Sequence, residues 1–123
     1  LASTAEVTRQ RVMQMVTDTK KIRRHDPGNP DVCNVFSMHK LFSSAEEVEV
    51  INRDCRSGVL GCVDCKNLFA SNLNRNLEPF RARRSELEKK PEYIDSVLAA
   101  GAQRARQIAG QTIAEVREAM QLP

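Results

Sequence analysis

PEYIDSVLAAGAQRARQIAGQTIAEVREAM, residues 91–120, places Ile94, Val97, Leu98, Gly101, Ala105, Ile108, Ala109, Thr112, Val116 and Met120 at helical spacing. The other side of that helix carries Gln103, Arg104, Gln107, Gln111 and Arg117. Pro91 stands where a first helical turn accepts proline. Gly101 and Ala105 are small enough to let a neighbouring helix come close. Such a stripe is core more often than interface, so burial of this face is expected. The stretch before it, from about Asp64 to Lys90, repeats the pattern through Leu68, Phe69, Leu73, Leu77, Phe80 and Leu87. Pro79 falls inside it and is expected to kink or split the helix. Together these stretches predict a long C-terminal helical hairpin.

Helical signals continue toward the N-terminus. Ser3 and Glu6 form a capping box before Val7, Val12, Met13, Met15 and Val16, with an end near Thr17 and Asp18. Residues 20–30 are basic and then turn-rich, closing on Pro27, Gly28, Asn29 and Pro30, which excludes a continuous helix there. Asn29 with Pro30 starts a second helix bearing Val32, Val35, Phe36, His39 and Leu41. Ser44 and Glu47 make a further capping box before Val48, Val50 and Ile51, and Gly58 is a natural stop. The expectation is an all-α bundle of about four to five helices.

Composition agrees. The chain has 123 residues, enough for one domain with one core. Aromatic residues are 4% with no Trp, poor stock for a β-sandwich or barrel. Mean hydropathy is −0.47, and no apolar run nears the roughly 18 residues of a membrane span. Net charge is +3, which permits nucleic-acid binding without establishing it. Lys20, Lys21, Arg23 and Arg24 cluster, as do Arg81, Arg83 and Arg84. The sequence opens on Leu1 with no charged leader, so a piece of a longer, non-secreted protein is expected. Phosphate loops, nucleophile motifs and paired carboxylates are missing, which excludes small-substrate chemistry by this chain alone.

Chemistry concentrates in four cysteines. Cys62 and Cys65 form a C-x-x-C pair whose sulfurs point the same way from one helical turn. Gly58 and Gly61 let the chain double back and bring Cys55 beside them, with Cys33 as a distant fourth. Three readings compete: unconnected or disulfide-linked cysteines, a four-thiolate zinc site, and a [4Fe-4S] cluster. Spacing leaves zinc and iron–sulfur level. A four-thiolate [4Fe-4S] centre carries about −2, which Arg53, Arg56 and Lys66 beside the cysteines could offset. His39, on a helix, reads as a packed or surface residue rather than a ligand.

Several stretches, in this order, carry a family resemblance: residues 12–18 (VMQMVTD), 22–30 (IRRHDPGNP), 33–36 (CNVF), 60–66, 77–81 (LEPFR), 97–105 (VLAAGAQRA) and 116–120 (VREAM). The chain resembles, over nearly its whole length, the C-terminal part of the bacterial tryptophanyl-tRNA synthetases, a class I family. The resemblance implies that residues 1–123 are a helical anticodon-binding domain. It places the catalytic Rossmann domain, with HIGH-like and KMSKS signatures, outside them. The parent would be a cytoplasmic homodimer that joins tryptophan to its tRNA using ATP and Mg²⁺. A cysteine-bearing subset of the family holds a [4Fe-4S] cluster near the anticodon, so the resemblance assigns Cys33, Cys55, Cys62 and Cys65 to such a cluster, with zinc the alternative. Arg24, Arg53, Arg56, Lys66 and Asn67 are the expected tRNA contacts. The competing expectation is a zinc-binding or redox-sensing helical domain that binds no tRNA.

Overall fold

The computed structural model describes residues 4–123. All regular structure in them is helical: α1 (Ala5–Met13), a 3-10 turn (Pro30–Val32), α2 (Asn34–Phe42), α3 (Ala45–Arg56), α4 (Cys62–Glu88) and α5 (Pro91–Ala119). The all-α expectation holds. The chain divides into two compact units, one ending at Arg81 and the other running from Ala82 to Pro123.

The expected first cap, Ser3, lies outside the described residues. Thr4 caps α1, its Oγ1 accepting the Val7 amide at 3.3 Å. The helix closes at Met13 rather than near Thr17 and Asp18. At this end the Lys66 ammonium donates to the Met13 carbonyl at 2.9 Å, one of the last-turn carbonyls that lack a partner within the helix. Asn29 does cap the next element, its side chain accepting the Asp31 amide at 3.0 Å. That element is one 3-10 turn, and α2 proper begins after Cys33. The Ser44–Glu47 capping box forms in both directions, each bond 3.2 Å. Gly58 has φ +78°, the left-handed conformation that ends α3 and that side chains resist.

The core of the first unit is Val12, Cys33, Val35, Phe36, Ile51, Cys65, Phe69 and Ala70. Met15, Met38, Phe42, Val48, Leu60, Leu68 and Leu73 pack against it. One expectation narrows and one changes. Helix α4 runs unbroken through Pro79, so the proline does not split it. The apolar stripe of α5 is not core: no residue of that helix is buried, and Leu98 is 65% exposed. Its periodicity fixed the helix, while burial of the stripe needs a partner surface that spacing does not supply.

Candidate metal and nucleic-acid site

Three helix ends and one loop converge on the cysteines. Cys33 is the residue before α2, buried where the 3-10 turn hands over. Cys55 is in the last turn of α3. Cys62 opens α4, and Cys65 follows one turn on, buried. The loop of residues 18–29 folds over Cys55. Asp18 fixes its two ends by accepting the Lys20 amide at 2.9 Å and the Asn29 amide at 2.8 Å. Gly28 then donates its amide to the Cys55 carbonyl at 2.9 Å. A Cβ at Gly28 would stand 2.7 Å from the Cys55 sulfur. Only glycine permits that approach.

All four cysteines are free thiols. Burial first, and then negative charge on Cys33, Cys55 and Cys62, pushes the Cys65 thiol up to about 12, against the lowering effect of Lys21. The Cys55 thiol is also raised, first by burial, then by Cys33, Cys62 and Asp18 against the lowering effect of Lys21. The four sulfurs thus share one electrostatic neighbourhood, with Cys33 in it. As the side chains stand, no group of three His, Cys, Asp or Glu among the described residues is arranged to hold a single metal ion.

The cation beside the thiols is Lys21, a lysine 8% exposed whose Nζ donates to the Asp26 carbonyl. The residues expected from sequence to balance the sulfur charge are engaged elsewhere. Arg53 pairs with Asp54 at 2.8 Å. Arg56 pairs with Asp31 at 2.8 Å and donates to Asn52 at 2.9 Å. Lys66 holds the end of α1. Sequence adjacency put these cations near the cysteines, but in the fold their head groups engage Asp54, Asp31 and the Met13 carbonyl. Lys21 was visible only as one member of a basic cluster, and its closeness to Cys55 depends on the loop.

Arg24 and Asn67 complete the expected contacts. Arg24 reaches across to Asp64 at 3.0 Å, with the two side chains 67% and 50% exposed. Asn67 accepts from the Arg9 guanidinium at 3.1 Å. Exposed pairs such as Arg24–Asp64 and Arg56–Asp31 contribute little to stability and exchange readily for a phosphate partner.

Beside Cys62 lies an open cavity of about 360 Å³ bounded by Ile22, Arg23, Arg24, Val63 and Asp64 among others. The Asp26 carboxylate shapes its rim by accepting the amides of Ile22 at 3.1 Å and Arg23 at 2.7 Å. This turn drives Ile22 outward to 87% exposure. Ile22 lines this cavity and was not among the residues the sequence singled out. Its signal was an apolar side chain set inside a basic run and followed by Asp26-Pro27-Gly28. No helix among the described residues is long and apolar enough to cross a membrane.

No family model matches the chain. Among curated proteins, it is 50% identical over 119 residues to the tryptophan–tRNA ligase of Aquifex aeolicus, covering 96% of this chain and 30% of that protein. It is 40% identical over 114 residues to the tryptophan–tRNA ligase of Thermotoga maritima, covering 92% of this chain and 35% of that protein. Among solved structures, tryptophanyl-tRNA synthetase from Campylobacter jejuni superposes with a TM-score of 0.82 at 25% identity, over 98% of this chain and 38% of that one. The chain therefore spans about a third of the length of the relatives it matches, and those relatives are ligases.

Proposed function

We propose that this chain is the helical tRNA-binding domain of a tryptophan–tRNA ligase, and that Cys33, Cys55, Cys62 and Cys65 hold a [4Fe-4S] cluster beside the surface that receives the anticodon loop. One observation carries the reading of the site: Cys62 lines the cavity rimmed by Ile22, Arg23 and Arg24 and stands one helical turn from the buried Cys65. The donor set fits such a group, being four free cysteines drawn from three elements, with a buried lysine against them. When bound, the cluster would cross-link α2, α3 and α4 at their ends and add negative charge there.

The chain's own residues do the recognition. Single-stranded loops are read by splaying bases out, stacking them and bonding their edges. Ile22 and Val63 offer exposed apolar surface to a base. The guanidinium of Arg23 is free to stack or to bond a base edge, and Arg24 can trade Asp64 for a phosphate. Arg56 can make the same exchange from Asp31. Lys66 and Asn67 serve more as braces, through Met13 and Arg9, than as direct contacts. ATP-dependent joining of tryptophan to tRNA belongs, in this reading, to the other two thirds of the enzyme.

Filter binding of cognate tRNA to the full-length enzyme tests the surface, with the Ile22→Ser and Arg23→Ala variants. The expected result is weaker binding for both, with the salt slope reduced by about 1 for the arginine if it meets a phosphate. Unchanged affinity in both variants overturns this surface. Metal analysis of anaerobically prepared protein tests the centre. About four irons per chain and a broad band near 400 nm support it. One zinc per chain, or no metal at all, overturns it.

A further inference from the structure

The sulfur neighbourhood has a fixed hydrogen-bond donor. His39 is wholly buried on α2, with 0% exposure. Its ring meets Phe69 edge-on, centroids 5.2 Å apart. Its Nε2 lies 3.2 Å from the Cys65 carbonyl oxygen and 3.5 Å from the Cys65 sulfur. Its Nδ1 lies 2.7 Å from the Ser43 hydroxyl.

The partners fix which nitrogen carries the proton. A backbone carbonyl only accepts, so the Cys65 oxygen requires Nε2–H. The far side of the ring gives the same answer. Asn72 donates to Ser43 at 2.9 Å and to Glu47 at 2.8 Å, and its oxygen accepts from Arg75 at 2.8 Å. A carboxylate only accepts, so this amide has no alternative orientation. Ser43 therefore accepts from Asn72 and has its own proton left for Nδ1. The hydrogen bonds run in one direction, from Asn72 through Ser43 and His39 to Cys65, and each strengthens the next.

We propose that His39 is a positioning residue of the sulfur centre, its Nε2–H shared between the carbonyl and the sulfur of Cys65 so that this sulfur is held in place and its negative charge stabilised. The inference rests on the reading of the four cysteines as cluster ligands. An N–H aimed at a ligand sulfur favours the more negative, reduced state and raises the reduction potential. Outer partners of this kind fix the orientation of ligands and tune the group they hold.

The test is an anaerobic dithionite titration of the iron-loaded protein, followed at 400 nm and by electron paramagnetic resonance. Wild type is compared with His39→Leu, His39→Gln and Ser43→Ala. In His39→Leu the iron stays bound, and the reduction equilibrium moves about tenfold toward the oxidised state, a fall of about 59 mV for one electron. His39→Gln keeps an N–H donor and recovers part of the shift. Ser43→Ala releases Nδ1 from its donor and moves the potential in the same direction by less. A purely structural role for the ring would lower stability without this ordering. Should His39→Leu fail to fold, the other two variants decide. Iron-loaded variants whose potentials all equal the wild type overturn the inference alone. A wild-type chain that takes up no iron overturns the cluster reading beneath it, and the inference with it.

Discussion

Gly28 and Gly58 act on the site without contributing a side chain. A methyl at Gly28 would meet the Cys55 sulfur at 2.7 Å and the Lys21 side chain at 3.1 Å, so the sulfur must shift. Gly28→Ala is expected to leave helix content intact and to weaken metal uptake about tenfold, the usual scale for a neighbour that orients a ligand. Iron per chain after anaerobic reconstitution, beside a circular dichroism spectrum, checks this. Gly58 is harsher, because its φ is +78° and a Cβ there would stand 2.3 Å from the His25 carbonyl oxygen. Gly58→Ala should cost more than about 1 kcal/mol in urea denaturation. Asp18 gives the residue-scale pH dependence. Amides from Lys20 and Asn29, in that order, hold its carboxyl below the ordinary 3.8. Because the folded value is depressed, the stabilisation is complete above the unfolded value and is lost as pH falls through the folded one. The urea midpoint of wild type should therefore drop between pH 5 and pH 2 more steeply than that of Asp18→Asn, and parallel curves would contradict it.

At the scale of elements, local chemistry was readable wherever a side chain bonds its own backbone. The Ser44–Glu47 box formed as the residues suggested, and Asn29 caps as expected although only a 3-10 turn follows it, because such bonds close within three positions. The end of α1 falls earlier than its own residues suggest, and the side chain that bonds its last carbonyl, Lys66, lies 53 positions away. Glu47 has a second task that spacing did not show: it also accepts from the buried Asn72. Ser44→Ala should therefore cost about 1 kcal/mol, the scale of a lost cap. Glu47→Ala should cost more, since it removes the cap and strands the Asn72 amide as well. Thermal melts of the two variants side by side check the order.

At the scale of the whole molecule, apolar spacing and burial separate. Phe69 is 0% exposed, whereas Ile108, on an equally regular stripe, is 55% exposed. Phe69→Ala should cost about 3–5 kcal/mol in this chain, and Ile108→Lys should stay within about 0.5 kcal/mol of the parent. Equal losses in urea denaturation would show that the α5 stripe is part of the core after all. The same distinction governs the site. The C-x-x-C pair was visible by inspection, since one helical turn aligns its sulfurs, but the pairing of Arg56 with Asp31 and the nearness of Lys21 to the thiols involve separations that no periodicity encodes.

Helix type, most caps and the four candidate ligands follow from the residues alone, because they depend on contacts within a turn or two of one helix. Which cation faces the sulfurs, why Gly28 must be glycine, and how His39 is oriented toward Cys65 were settled only when distant segments packed together. These are matters of distance between groups far apart along the chain, and only the folded backbone sets such distances.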